Sequence, residues 1–167
     1  RYSNGSASVS TEITLSGTLA ANSTYVIVNA DTRASTDLSG KADLLDSVVN
    51  FNGDDAIVLT KDGSVVDSFG QVGVDPGSSW SEGGVTTANQ TLRRKDEITT
   101  GRTTPDAAFN PSEEWAQFDQ DEFDGLGSHA GNGGTTPEPI PEPEPLEPLV
   151  CGAEKTLINA IQGDGSA

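Results

Sequence analysis

Apolar side chains come in short bursts along this chain, each cut off within a few residues by Gly, Pro, Asn, Asp or Ser. "STEITLSG" (10–17) alternates Ile13 and Leu15 with polar neighbours, and "STYVIVNA" (23–30) is a continuous apolar run short enough for a buried strand. Both predict strands. "SVVNF", "AIVLT" and "SVVDSF" are β-branched runs that predict a three-stranded meander. The last two are joined through Lys61-Asp62-Gly63, and Asp-Gly is a strong hairpin signal because both central positions take positive φ. "QTLRRK" (90–95) predicts a further strand. Only "DLSGKADLLDS" (37–47) hints at a short helix, with Asp37 or Ser39 available as caps. In "FNPSEEWAQFDQDEFDGLGSH" (109–129), Phe109, Trp115, Phe118, Phe123 and Leu126 are expected to close one open end of a β-sandwich.

The spacing changes abruptly after residue 129. "TTPEPIPEPEPLEP" puts proline at every second or third position with glutamates between, which predicts an extended, hydrated spacer. We therefore divide the 167 residues into an all-β domain (1–129), a Gly/Pro/Glu-rich linker (130–149) and the start of a downstream domain (150–167). An abrupt start at Arg1 and a short tail after a linker suggest a chain truncated at both ends.

Charge narrows the function classes. With 26 acidic against 9 basic residues the net charge is -17, a self-repelling surface that would hold nucleic acid and anionic lipid at a distance unless cations screen it. No apolar run is long enough to span a membrane. Cys151 is the sole cysteine, so the thiol is either free or paired with a cysteine outside this chain.

Candidate chemistry is sparse. His129, the one histidine, sits beside Ser128, and sequence neighbours rarely point at each other, so a nucleophilic triad is not expected. "DQDEFDG" sets Asp119, Asp121 and Asp124 at spacings that suit a flexible calcium site, but without a closing bidentate glutamate. Arg93-Arg94-Lys95 is the basic cluster. It is read as pairing with neighbouring carboxylates, and alternatively as a phosphate or nucleic-acid contact; strand alternation would set Arg93 and Lys95 on one face and Arg94 on the other. Asp54-Asp55 reads as a turn and strand entry, one carboxylate taking turn amides and the other facing solvent or a neighbouring loop. The lesser reading of that pair is a cation held at the end of the sandwich.

In order along the chain, "VNFNGDDAIVLTKDGSVVDSFGQVG", "QTLRRK", "EEW" and "FDGLGSH" resemble the lamin-tail domain in the version found at the front of bacterial secreted nucleases. The resemblance covers residues 1–129 and implies an immunoglobulin-like β-sandwich, here without its first strands and so with an unpaired edge. "CGAEKTLINAIQGDGSA" looks like the beginning of the oligonucleotide-binding-like region that precedes an endonuclease/exonuclease/phosphatase-type catalytic domain. By this resemblance the chain is a non-catalytic accessory domain and linker of a secreted bacterial enzyme that degrades extracellular DNA with Mg²⁺ or Ca²⁺. The domain would position the catalytic region or bind substrate or a surface, and Cys151 would pair with a cysteine further on. The alternative is a cell-surface adhesion or scaffold module, possibly calcium-binding, with no nuclease attached.

Overall fold

Asp62 and Gly63 make the tightest turn of the fold. Both take positive φ (52° and 78°), and Lys61 pairs directly with Ser64 across them. Such a turn carries the right-handed twist that two strands need to stay paired. Strands β3 (Ile57–Lys61) and β4 (Ser64–Phe69) run antiparallel from it, and the register slips by one residue so that Val66 bulges out between Asp67 and Val65. Gly101 lies against that bulge: a Cβ there would collide with the Val66 carbonyl oxygen and stand 2.9 Å from the Asp67 Cβ. Only glycine fits.

The computed structural model describes residues 1–30, 38 and 40–128; the predicted linker, the downstream segment, His129 and Cys151 lie outside these residues. The described residues are all-β with almost no helix, their strands paired in small two-stranded ladders. β1 (Ile27–Val28) and β2 (Leu44–Leu45) pair in parallel; β5 (Ser81–Glu82) with β6 (Val85–Thr86), and β7 (Thr91–Arg94) with β8 (Trp115–Phe118), pair antiparallel. A four-residue helix, α1 (Pro111–Glu114), leads straight into β8. Its start follows from local chemistry: Asn110 caps the Ser112 amide and Pro111 opens the first turn, where a missing N–H costs nothing.

Two strand expectations and one helix expectation are corrected. Ser47–Val49 is a 3-10 turn rather than the first strand of a meander, because the Asp46 carboxylate captures the Val48 amide at 2.7 Å and closes a turn locally. Residues 10–17 form no strand. The Ser10 and Thr11 amides donate to the Arg1 carbonyl, no ladder runs beside the rest, and Leu15 stays exposed. Leu44 and Leu45 are strand rather than helix, paired with Ile27 and Val28 once the Asp43 carboxylate has fixed the Val26 amide at 2.7 Å. Asp37 and Ser39, the predicted caps of that helix, lie outside the described residues.

Apolar burial concentrates in two clusters. Val26, Val28 and Leu38, with Ala42 and Phe123, form the first. The second gathers Ala56, Trp80 and Phe109, with Tyr2, Phe69, Val72 and Trp115 packed around them. Here the rings meet edge to face, Phe69 with both Phe109 and Trp115 and Trp80 with Phe109, at centroid separations of 5.1 to 5.5 Å. The aromatics of 109–126 therefore do not act as one lid. Phe109 and Trp115 serve the second cluster, Phe123 serves the first, Phe118 lies under Arg93, and Leu126 remains exposed.

Candidate functional site

The β7–β8 ladder decides what the basic cluster can do. Alternation turns Arg93 toward the Ala116 and Phe118 face and Arg94 toward the Trp115 face. Arg94 stacks on the Trp115 ring at 4.7 Å and grips Asp67 with both terminal nitrogens, Nη1 to Oδ2 at 2.6 Å and Nη2 to Oδ1 at 2.9 Å. Glu114 approaches the same guanidinium at 3.2 Å, as a charge contact and not as an aligned hydrogen bond. Burial by itself disfavours the Arg94 cation, but the hydrogen bond and charge of Asp67, with Glu114, outweigh it and push the pKa up. Arg94 is a cation at every pH the protein meets.

Asp67 is the junction of this network. Besides the Arg94 fork, its Oδ1 accepts the backbone amides of Ser68 and Arg102, each at 2.9 Å. The Arg102 guanidinium in turn donates to the Gly70, Ala107 and Ala108 carbonyls and lies over the Phe109 ring. One carboxylate thus ties β4, β7 and the loop carrying Arg102 into a single polar frame around the second apolar cluster. Neither Asp67 nor Arg102 stands out in the sequence as a site residue, although a lone carboxylate inside the β-branched run "SVVDSF" is itself a signal that a partner must be found for it.

Arg93 and Lys95 are also engaged. Arg93 stacks on Phe118 at 4.1 Å and bonds the Glu122 carboxylate at 2.8 Å; Lys95 donates through Nζ to the Ser112 carbonyl at 2.8 Å, close to the end of α1. The three basic side chains therefore do not converge on one external point.

Compared with family models, with curated proteins and with solved structures, the chain finds no match.

The fold does bring parts of the two sequence candidates together. Leu92, Arg93, Arg94, Glu122, Phe123 and Asp124 line one open groove of about 480 Å³, where the 122–128 loop passes beside β7. Asp119 and Asp121 do not line it. They belong to the turn that precedes it, in which the Asp119 carbonyl accepts the Glu122 amide at 3.3 Å and Asp121 takes a left-handed φ of 62°. Among the described residues no group of three or more His, Cys, Asp or Glu side chains stands together as a metal-ligand set. No described helix is long and apolar enough to cross a membrane, and one cysteine in the chain leaves no partner for an internal disulfide.

Asp54 and Asp55 form a second polar site: Asp55 takes a turn amide, as the sequence suggests, and of the two alternatives for the other carboxylate, solvent or a neighbouring loop, the structure rules out solvent. Both are buried, 7% and 5% exposed. Asp55 accepts the Asn4 amide at 3.2 Å through Oδ1, and its Oδ2 faces the Arg1 guanidinium at 3.6 Å. Asp54 has no such arrangement: its Oδ1 is fully buried and accepts no hydrogen bond.

Proposed function

We propose that residues 1–129 are a non-catalytic accessory domain, an immunoglobulin-like sandwich of lamin-tail type, carried with its Pro/Glu linker by a secreted bacterial enzyme that degrades extracellular DNA. The ordered motifs quoted above and the all-β character of the described residues support this reading. The observation that carries the choice of role is the internal use of the basic cluster. Arg93, Arg94 and Lys95 each hold acceptors of their own chain, in a protein of net charge -17, so phosphate would meet repulsion without an open guanidinium fork. The domain's part is then to position a catalytic region and not to grip DNA. That region would follow the linker, bring the Mg²⁺ or Ca²⁺ chemistry, and offer a cysteine to Cys151.

The decisive experiment expresses the reading frame extended beyond Ala167. Divalent-cation-dependent degradation of duplex DNA is expected from the longer polypeptide, and its absence would favour the adhesion or scaffold reading. The 167-residue chain alone is expected to cleave nothing. It is also expected to show no salt-sensitive association with duplex DNA at low ionic strength in the presence of divalent ions, with Arg93→Ala indistinguishable from the parent. A complex that forms at low salt and weakens in Arg93→Ala would sink the positioning role.

A further inference from the structure

Strand β7 keeps one edge unpaired. The ladder runs from Arg94 against Trp115 to Thr91 against Phe118, and just beyond it the Lys95 amide donates to the Glu114 carbonyl at 2.8 Å. Backbone bonds in an antiparallel ladder alternate sides, so Thr91 and Arg93, like Lys95, turn their N–H and C=O groups to β8, and Leu92 and Arg94 turn theirs away. β7 pairs with β8 alone, and among the described residues nothing bonds the outward backbone groups of Leu92 and Arg94. Those groups face the open groove of about 480 Å³: Thr91, Leu92, Arg93 and Arg94 all line it, and four consecutive strand residues share a wall only along the strand's edge.

The charges around the groove select what could fill it. Arg93 is matched by Glu122, and Arg94 is held by Asp67 and Glu114. The remaining charged side chains of the lining, Asp96 and Asp124, are exposed and make no ion pair or hydrogen bond among the described residues. Two unmatched carboxylates in a protein of net charge -17 attract a cationic guest and repel an anionic one. Leu126, 39% exposed, adds an apolar contact from the loop that forms the other wall. We propose that this groove binds an extended basic segment of a partner protein, which adds to β7 as a further strand through the outward groups of Leu92 and Arg94 and sets its lysine or arginine side chains against Asp96 and Asp124. The main-chain bonds supply affinity and the carboxylates select the sequence. This surface is separate from the accessory-domain reading and stands or falls without it.

The test uses the full 167-residue chain, isotope-labelled, with its backbone amides followed by NMR at low ionic strength. The probe is a capped pentapeptide of valine and threonine with a lysine at each end. It is expected to bind, to shift the Leu92 and Arg94 amide resonances and to slow their exchange with solvent. Replacing Asp96→Asn and Asp124→Asn should weaken binding by up to about 5-fold for each carboxylate removed and leave the melting temperature unchanged, because neither side chain has a partner to lose. The same peptide with glutamate in place of lysine should not bind. Methylating the backbone nitrogens that would face β7 keeps the charge and should abolish binding, which separates strand addition from simple charge attraction. No binding of the lysine peptide overturns the proposal, as does equal binding of the glutamate or the methylated peptide, or a set of shifted amides that omits Leu92 and Arg94. Slow exchange at those two amides before any peptide is added also overturns it, since the edge would then be held by this chain or by a second copy.

Discussion

Arg94→Ala is expected to lower the melting temperature by roughly 10 °C, a loss of about 2 to 3 kcal/mol. The figure lies below the roughly 3 to 5 kcal/mol of breaking a fully buried ion pair because Asp67 keeps 32% of its side chain exposed, so water partly replaces the lost partner. The larger share of the cost falls on what is left behind. Asp67 would keep the Ser68 and Arg102 amides but lose its cation, Glu114 would lose its charge contact with the guanidinium, and the Trp115 face would open. Arg94→Lys restores the charge without the planar fork that meets both Asp67 oxygens, so it should recover only part of the loss. Thermal melting of the three proteins side by side checks this. A parent-like Arg94→Ala would show that the network is decorative.

Phe109→Ala should cost more, about 3 to 5 kcal/mol, the usual range for emptying an aromatic site in a core. Phe109 is 8% exposed and stands between Phe69 and Trp80, so its removal takes away two edge-to-face contacts and leaves a void in the second apolar cluster. Against a total stability of about 5 to 15 kcal/mol for an ordinary domain, the variant sits close to unfolding at room temperature. Urea titration followed by tryptophan emission is the direct measurement, because Trp80 and Trp115 both report on that cluster. The two substitutions should not add independently. Phe69 touches both Phe109 and Trp115, and Trp115 carries Arg94, so a double mutant should reveal coupling through shared neighbours.

Local signals were readable wherever the chemistry is local. Asp62-Gly63 names its own turn, "QTLRRK" forms β7 over Thr91–Arg94, and Val26 and Val28 of the apolar run are buried. Where the deciding partner is distant, the same reasoning fails. Ile13 and Leu15 alternate like strand residues, yet alternation describes a face and not a neighbour, and no ladder meets them. Val48 and Val49 are β-branched, but one carboxylate at Asp46 settles Ser47–Val49 as a turn. Arg94 finds Asp67 across 27 positions, and nothing in a chain with 26 acids marks which carboxylate that will be. Asp54 is the sharpest case, because an acidic residue after a glycine normally faces water, yet the fold leaves it 7% exposed.

The loop ending at Ser128 behaves as a clasp. Phe123 packs into the Val26 and Val28 cluster, and the Thr24 hydroxyl donates to the Gly127 carbonyl, a contact that spans 103 positions. The parallel pair β1–β2 is only two residues long on each side. Cutting or displacing that loop is therefore expected to release the region around Val26 while leaving the ring cluster at Phe109 in place. Backbone amides near Val26 are therefore expected to exchange with solvent well before those near Ala56, and hydrogen exchange read residue by residue checks this.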